Sequence, residues 1–96
     1  MFGTIYHMSV KPDMKSQAIQ AMMDDNRQIK GFIAAYICDT GGDELWGVAV
    51  FRDEETYRAN ANDPEQDKWY RRLRDSLEAD PEWHDGTIHA WPSNSG

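Results

Sequence analysis

The chain contains the run Phe-Ile-Ala-Ala-Tyr-Ile-Cys at residues 32–38 and the run Leu-Trp-Gly-Val-Ala-Val-Phe at residues 45–51. Neither run alternates between polar and apolar residues, so as strands both would place apolar side chains on the two faces of a sheet. Helices of the same chain can cover one face, but a chain of 96 residues is too short to cover the other as well. We therefore predict a homodimer packed sheet against sheet, with any pocket between each sheet and its own helices.

The sequence around these runs predicts the element order strand, helix, strand, strand, helix, strand. Residues 3–10 alternate as a strand does, and residues 13–29 keep the apolar spacing of an amphipathic helix. Asp13 is the expected N-cap of that helix, and Gly31 is its expected stop. The two glycines within residues 39–43 predict a tight loop, which joins the two apolar runs as antiparallel neighbours.

The second half predicts a helix in two pieces, followed by a strand. Asp53 opens the first piece, and residues 63–66 (Asp-Pro-Glu-Gln) carry the N-cap, first-turn proline and capping-box glutamine of the second. Residues 80–81 (Asp-Pro) end the second piece, and residues 86–91 form the last predicted strand. This order is typical of an α+β domain with a ferredoxin-like split βαβ sheet (βαββαβ).

Composition and charge restrict the class of protein. Residues 1–96 contain no internal linker, and we expect a single domain with residues 93–96 as a frayed tail. The formal net charge of -7 argues against a nucleic-acid or anionic-membrane partner, and no apolar run is long enough to cross a bilayer. The lone Cys38 is expected to be a buried small hydrophobe in a protein of the reducing cytoplasm.

Three segments carry a resemblance to a known family. They are residues 10–12 (Val-Lys-Pro), residues 31–32 (Gly-Phe) and residues 51–60 (Phe-Arg-Asp-Glu-Glu-Thr-Tyr-Arg-Ala-Asn). The last segment has an aromatic residue, an acidic turn and a short helix with an aromatic residue inside it. Over nearly its full length the chain resembles the antibiotic biosynthesis monooxygenase superfamily. The resemblance implies a ferredoxin-like domain that pairs with a second copy as a dimeric α/β barrel.

The anthrone-oxidising branch of this superfamily uses neither a metal nor a flavin. It holds its substrate with an Asn and, four residues later, a Trp on the third strand. The matching positions in this chain are Gly47 and Phe51, so both residues are missing, whereas the Tyr of the following helix is matched by Tyr57. Gly47 is expected to leave room above the strand for a planar aromatic ring.

The haem-degrading branch has an Asn on the first strand, a Trp on the short helix and a His ligand on the next helix. The matching positions hold Tyr6, Asn60 and either Trp69 or Tyr70, so no haem ligand is present. The sequence also lacks the glycine-rich phosphate loop of a flavin or nicotinamide site. We therefore expect a protein without haem, metal or any other cofactor.

Five side chains are predicted to line an aromatic pocket. Tyr57 and Asn60 are the predicted catalytic residues, because either could donate a hydrogen bond that orients a phenolic oxygen and stabilises its anion. Tyr6, Phe51 and Trp69 are the predicted substrate-binding residues. The alternative for the aromatic residues is an ordinary place in the core, and for Asn60 the cap of a local turn.

His7 and His89 are candidate general bases, since histidine titrates near neutral pH. The first and last strands are neighbours in a ferredoxin-like sheet, so these two rings are expected on adjacent strands. His84 lies five residues before His89 and would point to the opposite face. No third ligand for a metal is evident in the sequence. The alternative role for His7 and His89 is as hydrogen-bonded residues on or near the dimer face.

Two functions from different classes fit these observations. The first is a cofactor-independent monooxygenase that acts on a phenolic or quinol-type aromatic small molecule. The second is a non-catalytic homodimer with a ligand-binding or structural role on the same fold. The missing Asn and Trp of the third strand favour the second function, whereas the aromatic residues around the short helix favour a pocket of some kind.

Overall fold

The sheet and helices follow the predicted ferredoxin-like order. The structure is a computed structural model that describes residues 1–91. Its elements are β1 (Phe2–Ser9), α1 (Lys15–Met23), β2 (Phe32–Asp39), β3 (Glu44–Phe51), α2 (Glu54–Ala61), α3 (Pro64–Arg74) and β4 (Glu82–Thr87). The four strands form one antiparallel sheet in the order β2-β3-β1-β4. The predicted α+β class is confirmed, and the predicted tail lies outside the described residues.

The helices cover one face of the sheet, and the core lies between them. Alternate residues of β1 point to this face, among them the buried Tyr6 and Met8. They pair with Gly47 and Leu45 of β3, which share the face. The buried cluster consists of Tyr6, Met8, Val10, Ala18, Met22, Leu45, Trp69, Leu73 and Leu77. No helix among residues 1–91 is long and apolar enough to cross a membrane.

The other face of the sheet, which we call the open face, is apolar at its centre and uncovered by the chain's own helices. Ile5, Val48 and Tyr36 form a row across β1, β3 and β2. Ile5 is 47% exposed, Tyr36 is 65% exposed and the neighbouring Trp46 is 38% exposed. The two apolar runs therefore do present side chains to both faces. Cys38 lies on the open face and is exposed, so the prediction that it is buried within the chain is wrong.

The first helix differs from its prediction at both ends. Asp13 has a positive φ of 66° and is not the N-cap, and the helix begins at Lys15. It ends at Met23, well before Gly31. The polar residues that follow leave the helix because aspartate and asparagine favour local hydrogen bonds over helical ones. The Asp25 carboxylate accepts hydrogen bonds from the backbone N–H and the guanidinium of Arg27.

The two later helices begin where the sequence predicts. The side chain of Asp53 accepts a hydrogen bond from the backbone N–H of Thr56 at 2.8 Å, and that of Asp63 accepts one from Glu65 at 2.9 Å. Each carboxylate thus satisfies a backbone donor that the first helical turn leaves unpaired. The third helix ends at Arg74, earlier than predicted.

The last strand is misplaced in the prediction. It runs over Glu82–Thr87 rather than residues 86–91, so only Gly86 and Thr87 belong to both. This strand lies at an edge of the sheet, where polar side chains are tolerated, and most of its residues are exposed. Its hydrophobic pattern is weak for that reason. The segment that follows is more apolar, so the sequence pattern predicted the strand there instead.

The Tyr6 ring fills the space above Gly47, so the prediction that this space is free for a ligand is wrong. Tyr6 pairs with Gly47 across β1 and β3, and a Cβ built on Gly47 would overlap the end of the tyrosine ring. Tyr6 is only 5% exposed. The absence of a side chain at Gly47 therefore accommodates a side chain of the same protein.

We expect Gly47→Ala to destabilise the protein by about 1–3 kcal/mol, because the added methyl group overpacks a filled site. Gly86→Ala is the matched control, since a Cβ there meets no atom within 4 Å. In a Tyr6→Leu background the ring is gone, so the cost of Gly47→Ala should fall. Urea unfolding of the four proteins of this cycle measures the coupling. An equal cost of Gly47→Ala in both backgrounds would contradict the contact.

Candidate functional site

A cavity of about 600 Å³ opens between the sheet and the second and third helices. This volume lies within the range of about 300–1,000 Å³ that is typical of small-molecule sites. β1, β3 and β4 supply the floor, α2 and α3 supply the walls, and the segment before β4 supplies part of the rim. The lining consists of Thr4, Tyr6, Ala49, Phe51, Tyr57, Asn60, Ala61, Gln66, Asp67, Trp69, Tyr70, Asp80, Pro81, Trp83 and Asp85.

All five residues that the sequence predicts for a pocket line this cavity. Tyr6 and Phe51 belong to its floor, on β1 and β3. Tyr57 and Asn60 lie three residues apart on α2, and this spacing places them on one face of the helix. Trp69 lies on α3 and also belongs to the buried core cluster. Their roles in binding or catalysis stay predictions.

Aromatic rings contact one another along the cavity. The Tyr6 and Trp83 rings lie 4.7 Å apart between centroids, at opposite positions on β1 and β4. The centroids of the Tyr70 and Trp83 rings lie 6.4 Å apart. Phe51 and Tyr57 meet edge to face at 5.5 Å. These separations are those of ordinary aromatic pairs, so the rings support one another and leave apolar surface toward the cavity.

Tyr57 is joined to an aspartate that the sequence analysis did not identify. Its hydroxyl donates a hydrogen bond to Oδ1 of Asp85 at 2.8 Å, and Oδ2 of Asp85 lies 3.4 Å from the guanidinium of Arg58. Burial and then the hydrogen bond to Asp85 raise the pKa of Tyr57 to about 12. Tyr57 therefore stays protonated at neutral pH. Its proton is directed at Asp85, and the predicted donation to a ligand stays a prediction.

A second pair of the same kind lies at the rim. The hydroxyl of Tyr70 donates to Oδ1 of Asp80 at 3.1 Å, and Nε of Arg74 donates to the same oxygen at 2.8 Å. Arg74 first and Tyr70 second hold the pKa of Asp80 below its usual value. Burial and Asp80 raise the pKa of Tyr70. Asp80 is therefore a carboxylate at neutral pH, with Tyr70 as its neutral partner.

Asn60 is held by a hydrogen bond within the wall of the cavity. Its amide nitrogen donates to Oε1 of Gln66 at 3.2 Å, and Arg27 donates to the same oxygen at 2.9 Å. Gln66 thus does not complete the predicted capping box of the third helix. An amide nitrogen carries two N–H groups, so Asn60 and Gln66 both keep donor capacity beyond these bonds.

The indole N–H of Trp69 is buried and has no hydrogen-bond partner in the part of the chain that the structure describes. Most buried N–H groups in proteins find an acceptor, so this donor is unusual. An acceptor on a bound molecule or a water would satisfy this N–H group and so stabilise the site.

The histidines lie outside the cavity. His7 follows Tyr6 in β1 and points to the open face, where its Nε2 lies 2.9 Å from Glu44 and its ring lies 4.6 Å from that of Trp46. His89 is exposed and follows the end of β4, so it does not lie on a strand next to His7. A general-base role for His7 or His89 therefore does not fit this cavity. For His7 the alternative, a hydrogen-bonded residue on the open face, agrees with its position.

Sequence reasoning missed the cavity residues that lie on and before β4. Asp80, Trp83 and Asp85 were not candidates because the last strand was expected to begin at residue 86. The available signal was the alternation of Trp83 and Asp85 at period two, which places both on one face of a strand. Together with the walls, these residues give the cavity a largely aromatic lining with polar groups at its edges.

No protein-family model matches the sequence, and no curated protein matches it. Solved structures with the same fold do exist. The chain is similar to a monooxygenase from the gene ActVA-Orf6 of Streptomyces coelicolor, a structure that contains the ligand Nanaomycin D. The two share 20% identity with a TM-score of 0.82, over 98% of this chain and 92% of that one.

Two further structures assigned to the antibiotic biosynthesis monooxygenases are similar along the whole chain. The one from Deinococcus radiodurans shares 10% identity with a TM-score of 0.80, over 100% of both chains. The one from Chloroflexus aurantiacus shares 19% identity with a TM-score of 0.77, over 99% of this chain and 98% of that one. At these identities the likeness concerns the fold. The resemblance predicted from the sequence is confirmed at that level, because this chain has the fold of the antibiotic biosynthesis monooxygenase superfamily.

Proposed function

We propose that the cavity binds a planar aromatic small molecule of the phenol or quinol type and supports its oxidation by dioxygen without a cofactor. The observation that carries this proposal is the Tyr57–Asp85 pair on the lining of an otherwise aromatic cavity. The pair provides a proton acceptor beside a surface on which a ring can stack. The similar structures assigned to monooxygenases support the reaction class.

The proposed reaction begins with the removal of a proton from the ligand. The oxygen of Tyr57 accepts the hydrogen bond of a ligand hydroxyl, and the tyrosine proton moves to Asp85 as the ligand proton moves to Tyr57. The resulting electron-rich anion reduces dioxygen. For an anthrone-type methylene group, one oxygen atom forms the new carbonyl, and the other leaves as water with the two methylene hydrogens. The amide N–H groups of Asn60 and Gln66 orient the ligand's oxygen.

The alternative function is binding without catalysis. It is favoured by Gly47 and Phe51 at the positions where the anthrone-oxidising branch has Asn and Trp. The Tyr6 ring above Gly47 adds to this argument, because it fills the place where a substrate-holding side chain would stand. Under this alternative the cavity binds the same class of aromatic molecule and releases it unchanged.

Oxygen uptake with a panel of anthrones and quinols tests the proposed reaction. Tyr57→Phe should lower the rate at least about tenfold, since general-base groups typically contribute more than that. Tyr36→Phe is the matched control, because it removes the hydroxyl of an exposed tyrosine that lies outside the cavity. Its rate should change less than about twofold. If the wild type binds members of the panel but oxidises none, the binding function replaces the enzymatic one.

The Tyr57–Asp85 hydrogen bond can also be tested through the pKa of Tyr57. Asp85→Asn should lower the pKa of Tyr57 from about 12, because it removes a negative charge and a hydrogen-bond acceptor that both favour the neutral phenol. The value should stay above 10.0, since burial is the larger cause. Ultraviolet titration, with Tyr57→Phe to identify the transition, measures it. Asp80→Asn is the control, and an identical curve for Asp85→Asn and the wild type would contradict the pair.

We propose that the open face is the interface of a homodimer. The row formed by Ile5, Val48 and Tyr36, with Trp46 beside it, supports this assembly because monomeric proteins rarely expose such a contiguous apolar surface. A second copy presents the same apolar row and so fits the face by symmetry. We also propose a cytoplasmic location, where the free thiol of Cys38 would stay reduced.

Val48→Asp should disrupt the dimer, since it places a charge at the centre of the proposed interface. Size-exclusion chromatography with light scattering should give the mass of two chains for the wild type, and a monomer or an aggregate for Val48→Asp. Ala79→Asp, at an exposed position outside the sheet, is the matched control and should remain a dimer. A stable wild-type monomer at micromolar concentration would contradict the assembly.

A further inference from the structure

Among the described residues, all the charged side chains that line the cavity are carboxylates. Asp67, Asp80 and Asp85 belong to the lining, and within residues 1–91 no lysine, arginine or histidine does. Asp80 precedes β4, Asp85 lies within it, and Asp67 lies on α3. A molecule that enters the cavity therefore passes carboxylates at several places on its rim.

Each carboxylate has an arginine partner that lies outside the lining. Asp67 pairs with Arg71 at 2.9 Å, Asp80 with Arg74 at 2.8 Å, and Asp85 with Arg58 at 3.4 Å. These ion pairs are solvent-exposed, so water screens both charges of each pair and their mutual attraction is weak. The pairs are also oriented, because the carboxylate of each lies on the lining and the guanidinium does not. A molecule in the cavity therefore faces the carboxylates of these pairs and not their guanidinium groups.

The hydroxyl groups of the lining strengthen this polarity. The hydroxyl of Tyr57 donates a hydrogen bond to Asp85, and the hydroxyl of Tyr70 donates one to Asp80. Each phenolic oxygen can therefore only accept a hydrogen bond from a ligand. The rings of Tyr6 and Tyr70 also belong to the lining, and each is paired with the ring of Trp83. The faces of aromatic rings attract cations and repel anions. These acceptors and ring faces favour a ligand that enters with hydrogen-bond donors and without a fixed negative charge, while the N–H groups of Asn60 and Gln66 can donate to a neutral oxygen of that ligand.

We infer that the ligand of this cavity is a neutral or cationic aromatic molecule, and that the cavity rejects aromatic molecules that carry a carboxylate, sulfonate or phosphate. The inference rests on the proposed aromatic-binding function and adds the charge class of the ligand. A phenol or aromatic amine satisfies the acceptors of Tyr57 and Tyr70. An aromatic acid places its charge against at least one of the three aspartates.

Three naphthalene probes of nearly equal shape test the inference by binding alone. They are 2-naphthalenemethanol, which is neutral, 2-naphthylmethylammonium, which is cationic, and 2-naphthoate, which is anionic. Titrations followed by the indole N–H resonances of Trp69 and Trp83 report dissociation constants at the site itself. The anion should bind at least about fivefold more weakly than the neutral probe, because of Coulomb repulsion at the rim. The cation should bind at least as tightly as the neutral probe.

Asp67→Asn shows whether the rim causes the discrimination. Asp67 lies on the lining, and its ion pair with Arg71 is on the exposed surface of α3, so its substitution should leave the fold intact. It should strengthen naphthoate binding at least about twofold and leave 2-naphthalenemethanol unchanged. Asp13→Asn, at an exposed position outside the lining, makes the same change in net charge and should have neither effect.

The outcomes separate this inference from the proposed function. If 2-naphthalenemethanol and 2-naphthylmethylammonium bind and naphthoate binds weakly, and Asp67→Asn reduces the difference, the inference is supported. If naphthoate binds as tightly as the neutral probe, or Asp13→Asn acts like Asp67→Asn, the inference is overturned while aromatic binding stands. If no probe perturbs either indole resonance, the proposed aromatic-binding function fails, and the inference fails with it.

Discussion

The Tyr6 ring packs against the backbone of Gly47, and this contact lies where the buried core meets the cavity. Tyr6 lies at the register position that Gly47 of β3 and Trp83 of β4 share on either side of β1. Its hydroxyl lies 3.7 Å from the sulfur of Met22, inside the core, and its ring contacts Trp83 at the cavity floor. Because the ring occupies the space above Gly47, the cavity opens beside it, over Ala49 and Phe51. Tyr6 thus belongs both to the buried core and to the lining of the cavity.

Much of the fold could be predicted from local sequence. The two apolar runs became neighbouring strands with apolar side chains on both faces, because that pattern depends only on period two and burial. Asp53 and Asp63 capped their helices as predicted, because capping is a contact between residues two or three positions apart. Membership of the cavity was also predicted for Tyr57 and Asn60, and the structure places both on one face of a short helix.

What the sequence could not provide are contacts between distant segments. Tyr57 and Asp85 are 28 residues apart, and their hydrogen bond depends on the register of β4 against β1. That register could not be predicted, because β4 is an edge strand with weak hydrophobic alternation, and the sequence pattern predicted it several residues further along the chain. The role of Gly47 was misread for the same reason. Nothing near Gly47 in the sequence indicates that Tyr6, on another strand, fills the space above it.

The two edges of the sheet differ in their capacity to accept another strand. β4 is short and carries charged side chains, a common protection of an exposed edge. β2, at the other edge, has no charged residue from Phe32 to Cys38, and its bulge disturbs the pairing only near its start. The middle of β2 therefore offers an uninterrupted row of backbone hydrogen-bonding groups beside apolar side chains. In concentrated or partly unfolded samples, strand addition and fibril growth would begin at β2, whereas the β4 edge would stay inert.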